Sequence, residues 1–110
     1  MHTVIETPVY SAKAATLLTD AERESIAAFV ASNPRAGAVL RGSGGIRKIR
    51  WSRGSRGKSG GVRVIYFNRL SDGEIWFLTL YAKSERATIS AYELRLIKEA
   101  LVNGEDQQNE

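Results

Sequence analysis

The sequence predicts an α+β fold: a small antiparallel or mixed sheet, two N-terminal helices packed on one of its faces, and a C-terminal helix. Three observations lead there. The stretch from Gly45 to Arg86 reads as three successive strands, GIRKIRW, GVRVIYFNRL and IWFLTLYAKSER, rich in β-branched and aromatic residues. Asp72-Gly73 stands between the second and third, a short-range hairpin signal. Thr19-Asp20-Ala21-Glu22 and Ser90-Ala91-Tyr92-Glu93 each match a capping box, which places helix starts on either side of the strand block.

The elements follow in order. His2 to Glu6 (HTVIE) has the composition of a short strand. Thr7-Pro8 then reads as a helix cap followed by proline at the first helical position. Val9, Tyr10, Ala14, Leu17 and Leu18 form the expected buried stripe of that first helix. A second helix starts at Thr19, with Ile26, Phe29 and Val30 at core spacing, and ends at Asn33-Pro34, because a residue before proline avoids the helical region. Arg35 to Gly44 reads as a glycine-rich connection. In the first of the three strands Lys48 and Arg50 share one face and Arg47, Ile49 and Trp51 the other; in the second, Val62, Val64 and Tyr66 oppose Arg63, Ile65, Phe67 and Arg69. The expected arrangement turns Ile49, Trp51, Val62, Val64 and Tyr66 towards the helices and Lys48, Arg50 and Arg63 away from them. The third strand is apolar on both sides, which suits a central position. The last helix is expected near a sheet edge, with Leu94, Ile97 and Leu101 on one face and a stop at Asn103-Gly104.

At 110 residues the chain is read as a single domain over 1–104, with 105–110 a polar, acidic, frayed tail. It contains no cysteine, which excludes a disulfide scaffold, a thiolate metal site and a thiol nucleophile. No apolar run is long enough to span a bilayer and no signal-peptide pattern opens the chain, so a cytoplasmic protein is expected.

Charge is distributed unevenly. The net charge is +4, yet from 25 to 71 there is no Asp or Glu, and the same span carries 10 of the 16 Lys and Arg residues. Such concentration on adjacent strands and their Gly/Ser loop makes a local field far larger than the average charge suggests, the footprint of a polyanion site. The competing reading is a solvated basic face that keeps the protein soluble. The only histidine is His2, so a catalytic histidine pair is excluded, and the basic span has no carboxylate cluster of the kind that holds divalent cations for phosphodiester cleavage. Gly57-Lys58-Ser59 resembles the end of a phosphate-binding P-loop, but Ser52 stands where the first glycine belongs and a strand follows where a helix should. What remains is recognition of RNA, or its cleavage through attack of a ribose 2′-OH on the adjacent phosphate. Arg and Lys would face the non-bridging oxygens, and a Lys or Tyr would assist the proton. Lys48, Arg50, Arg63, Tyr81 and Lys83 are the right residue types. Tyr66 and Trp51 are read as core side chains rather than base-stacking platforms.

Three motifs in order carry a resemblance: Lys48-Ile49-Arg50 in one strand, Gly61-Val62-Arg63-Val64-Ile65-Tyr66 in the next, and Tyr81-Ala82-Lys83-Ser84-Glu85 after the third. Together with the element order they resemble the RelE/HigB toxins of bacterial type II toxin–antitoxin modules, and the strings GSGGIRKIRW, GKSGGVRVIYF and LTLYAKSER look like the HigB branch. The resemblance spans from about the first helix to the last. It implies a RelE-like fold and a metal-independent, ribosome-dependent mRNA endoribonuclease with no cofactor, neutralised by a cognate antitoxin protein. It further implies that Lys48, Arg50 and Arg63 bind the scissile phosphate with Lys83 nearby. Tyr81 is expected in the catalytic set by its residue type, and Arg47, Arg53, Arg56, Lys58, Ser84, Glu85 and Tyr92 are expected to contact RNA. Two positions depart from the best-known RelE pattern: Ser84 stands where an arginine follows the lysine, and Ser90 stands near the place of a tyrosine in the last helix. Tyr81 or Tyr92 are the candidates to replace that tyrosine. Two other functions stay open, a gyrase-inhibiting toxin of the same superfamily and a nucleic-acid-binding regulator without catalysis.

Overall fold

The computed structural model describes residues 2–52, 61–85 and 89–108, with side chains described up to 99. Strand β1 (Thr3–Glu6) leads into helix α1 (Pro8–Leu17) and helix α2 (Asp20–Ser32). Then come a two-residue strand β2 (Ala38–Val39), strands β3 (Ile46–Trp51), β4 (Val62–Arg69) and β5 (Glu74–Ala82), and helix α3 (Ala91–Gln108). The strands form one mixed sheet in the order β1-β5-β4-β3-β2, in which β1 runs parallel to β5 and the other pairs are antiparallel.

Local chemistry sets the boundaries. Thr7 Oγ1 accepts from Tyr10 N–H and donates to Leu78 O at 2.9 Å, so one side chain caps α1 and ties it to β5. The capping box at α2 is present in both directions, Thr19 N–H to Glu22 Oε1 at 2.8 Å and Glu22 N–H to Thr19 Oγ1 at 3.1 Å. At α3 Glu93 N–H likewise donates to Ser90 Oγ at 3.1 Å. The β4–β5 connection is a single 3₁₀ turn (Leu70–Asp72) closed by Gly73 at φ +72°, the left-handed conformation that glycine adopts without strain.

The first face of the sheet packs on α1 and α2. Tyr10, Ala14, Leu18, Ile26 and Val30 meet Ile49, Val62, Val64, Tyr66, Ile75, Phe77 and Leu80 in one core, and Trp51 packs against its margin. Tyr66 holds the α2–β2 connection: its hydroxyl donates to Pro34 O and accepts from Gly37 N–H, both at 2.8 Å, and its burial raises its pKa. A Cβ on Gly37 would lie 2.8 Å from that hydroxyl, so glycine is needed there. Glu6, at the end of β1, accepts from Ser11 of α1 and from Arg23 of α2, and joins three elements.

Several expectations are corrected. The last helix does not sit at an edge. Leu94 and Ile97 pack across the second face, against Ile46, Ile65, Phe67 and Leu78, because those side chains form an apolar patch too large to leave in water. The helix also runs through Asn103-Gly104 to Gln108; one interior glycine costs only about 1 kcal/mol, and Glu105 and the glutamines after it are good helix formers. Val9 and Phe29, assigned to buried stripes, are 51% and 41% exposed. Phe29 stacks edge-on against Trp51 at 5.8 Å rather than entering the core. The glycine-rich connection contains β2, which the sequence pattern did not mark.

Candidate nucleic-acid interface

The second face carries the charge. Ile46 is buried under α3, and alternation along β3 puts Lys48 and Arg50 on that same face, with Lys48 half-buried and Arg50 exposed. On β4 the same holds for Ile65 and Arg63. Strand register aligns them: Arg50 stands opposite Arg63, and Arg63 opposite Tyr81, so the three form one row across β3, β4 and β5. The next row is Lys48, Ile65 and Thr79.

Tyr81 joins this row because of a bulge. The β4–β5 register steps from Ile65↔Thr79 to Tyr66↔Phe77, which leaves Leu78 as an additional residue on β5. Simple alternation from Phe77, which faces α1, would send Tyr81 to the first face. The bulge reverses the phase, so Leu80 enters the first core and Tyr81 the second. Nothing in the composition of the strand marks this step, and reading by alternation alone groups Leu80 with Trp76 and Leu78. Thr79, which that reading also passed over, is buried on the second face, and its hydroxyl has no hydrogen-bond partner among the described residues.

Arg63 is the unusual member, a guanidinium-bearing residue only 7% exposed. Lys83 N–H donates to Gly61 O at 3.2 Å. Alternation from that bond turns the backbone groups of Arg63 towards β5, so Arg50 and Arg63 are a non-hydrogen-bonded pair, the arrangement in which opposed side chains come closest. Like charges directly opposite each other destabilise a sheet by about 0.2–1 kcal/mol.

The exit of β5 is shaped by two contacts. Gly61 has φ +71°, and a Cβ there would lie 2.1 Å from Trp51 O, so only glycine lets β3 and β4 close at this end. Beyond it Glu85 clasps the strand: its Oε1 accepts from Ala82 N–H at 3.1 Å and its own N–H donates to Ala82 O at 3.0 Å. This turn carries Lys83 and Ser84, both exposed, out beside the row.

The remaining sequence candidates separate. Arg47 lies on the other face and donates to Gly37 O at 2.7 Å and Arg35 O at 3.3 Å, bracing the α2–β2 connection. Arg53, Arg56 and Lys58 fall outside the described residues. Tyr92 is 64% exposed in the first turn of α3. Lys98, which sequence reasoning did not select, anchors α3 over the apolar end of this face: its Nζ donates to Gly44 O at 2.7 Å and sits 4.3 Å from the Phe67 ring centre.

A small mixed sheet with two helices on one face, and a cationic row sharing the other with a C-terminal helix, defines a compact α+β protein. Comparison with known proteins supplies the family. Residues 26–108 match the model described as the RelE toxin of the RelE/RelB toxin–antitoxin system. The chain belongs to this family, and is the toxin of a toxin–antitoxin system. Among solved structures it is similar to the E. coli toxin RelE, a double arginine-to-alanine mutant in the free state, with a TM-score of 0.61 and 18% identity over 88% of this chain and 96% of that one. At that identity the likeness is one of fold. Among the described residues no helix is long and apolar enough to cross a membrane.

Proposed function

We propose that this toxin is a ribosome-dependent endoribonuclease that cuts mRNA and so stops translation, in the manner of the HigB branch. The observation that carries the reading is the row Arg50–Arg63–Tyr81, with Lys48 one row below and Lys83 at its end. Arg63 is held by its burial and its strand, so its donors meet a phosphate without first losing side-chain freedom; Arg50 approaches from the neighbouring strand. As the 2′-OH attacks the adjacent phosphate, negative charge grows on the non-bridging oxygens, and these preorganised cations stabilise it. In this reading Lys48, Lys83 and Tyr81 are the candidates to take the 2′-OH proton and to return one to the leaving 5′-oxygen. No metal ion enters this scheme.

The partners are the ribosome with its mRNA, and a cognate antitoxin that offers an acidic surface to the same field. Primer extension on a reporter mRNA after brief induction tests the reading. Cuts at defined codons on translated messages are expected. Growth arrest with loss of DNA supercoiling and no cuts would assign a gyrase-inhibiting toxin, and neither effect would leave a nucleic-acid-binding regulator.

A further inference from the structure

A second feature lies just past the cationic row. Between α1 and the exit of β5 opens a cleft of about 350 Å³, within the size range of small-molecule sites. Leu17 and Leu80 form its floor, Tyr81 one wall, and Lys13, Thr16 and Glu85 its rim. Of the α1 residues that line it, Lys13, Thr16 and Leu17 stand at i, i+3 and i+4, so they share one side of the helix. Tyr81 is common to the row and to the cleft, and β5 lies one strand spacing, about 4.8 Å, from Arg63. A polyanion clamped on Arg50 and Arg63 and running across the strands leads into this opening.

We propose that the cleft is a nucleobase subsite, which receives a base flanking the phosphate held by the row and favours one with an exocyclic amino group. This rests on the proposed function in that the row must hold an RNA phosphate. An apolar floor suits the face of a base. The carboxylate on the rim repels phosphate but accepts an N–H from a base edge, as Glu and Asp do from the amine of cytosine. Lys13 on the helix side serves the neighbouring phosphate or a base carbonyl. Glu85 is fixed for this task, because one of its oxygens already accepts from Ala82 N–H. The same clasp makes a protein strand a poor occupant. At this edge of β5 the Ala82 N–H and C=O are taken by Glu85 and Leu78 O by Thr7 Oγ1. Between them alternation turns only the Leu80 backbone groups outward, too little for an added strand.

Binding titrations of the full chain with single-stranded oligocytidylate and oligouridylate of equal length, at one salt concentration, test this without requiring cleavage. The two ligands differ at the base edge chiefly by an amine against a carbonyl. The wild type should bind the cytidine ligand about tenfold tighter, within the discrimination of a good base contact. Thr16→Trp, an exposed helix position that fills the cleft and leaves the row intact, should abolish that difference while keeping salt-dependent binding of both. Equal affinities in the wild type, or a difference that survives in a Thr16→Trp protein with a normal melting curve, would overturn the subsite. So would a Thr16→Trp protein that binds both RNAs as the wild type does but no longer forms its antitoxin complex, which would assign the cleft to a protein. Failure of the underlying reading looks different: neither RNA binds in a salt-dependent way.

Discussion

The two faces of one sheet differ in what their residues are for. Against α1 and α2 the sheet presents Ile49, Val62, Val64, Tyr66, Ile75, Phe77 and Leu80, all buried, and the polar atoms among them are used for structure, as Tyr66 shows with Pro34 and Gly37. Against α3 the face is divided. Ile46, Ile65, Phe67 and Leu78 lie under the helix, while Lys48, in the row of Ile65, and Arg50 and Arg63 in the next row carry the charge. Burial of apolar area accounts for most of the first face. On the second face two arginines stand directly opposite each other, and such like-charge pairs repel. The pleat of the strands thus separates an apolar packing face from one that mixes apolar and cationic residues, and neighbours such as Val62 and Arg63 fall on different sides.

That separation predicts which substitutions harm folding and which harm only activity. The largest effect belongs to the first face. Phe77 is fully buried and packs edge-on against Tyr10 at 5.1 Å, so Phe77→Ala should cost about 3–5 kcal/mol in chemical denaturation. A loss under about 1 kcal/mol would mean that this core is looser than its burial indicates.

A smaller effect is expected where the helices meet β1. The hydrogen bond from Arg23 holds the Glu6 carboxyl below the ordinary carboxylate value, with Ser11 adding to it against partial burial. A carboxylate depressed in the folded state contributes stability above its unfolded pKa and loses it as pH falls through the folded one. Glu6→Gln should thus destabilise by about 1 kcal/mol at neutral pH. The difference in melting temperature from the wild type should close as pH drops below the usual carboxylate range. A gap that stays constant from neutral pH to pH 3 would contradict the ion pair's role.

The smallest effect on folding, and the sharpest contrast with Phe77, is expected at Arg50. Removing one of two opposed like charges should leave stability unchanged or raise it by about 0.2–1 kcal/mol, while mRNA cleavage falls. Steep salt dependence of RNA binding should fall with it, because each lost phosphate contact releases fewer counterions. A destabilised Arg50→Ala protein would show that the pair supports the fold.

Much of this architecture was legible in the chain. Caps are local, and Thr7-Pro8 and Thr19 to Glu22 start their helices where the side chains reach free N–H groups. The parity of Lys48, Arg50 and Arg63 was legible too, since strand alternation needs only the sequence. Three features were not. The Leu78 bulge changes which residues of β5 face the site, and a single extra residue in a uniformly apolar strand leaves no compositional trace. The seat of α3 depends on Ile46, Ile65 and Phe67 making a joint surface from separate strands. The burial of Arg63 depends on what surrounds it, so strand alternation gave its face but not that it is nearly enclosed.

That burial makes Arg63 the decisive position. Arg63→Ala and Arg63→Lys should be compared with the wild type for mRNA cleavage on translating ribosomes, with thermal melting of each protein alongside. The account predicts that Arg63→Ala melts as a folded protein and loses about 10²–10³ in cleavage rate, or about 2.7–4 kcal/mol of transition-state stabilisation. Arg63→Lys, which keeps the charge but not the planar fork, should recover only part of it. Cleavage at the wild-type rate by a well-folded Arg63→Ala protein would contradict the claim that the second face exists to hold a phosphate.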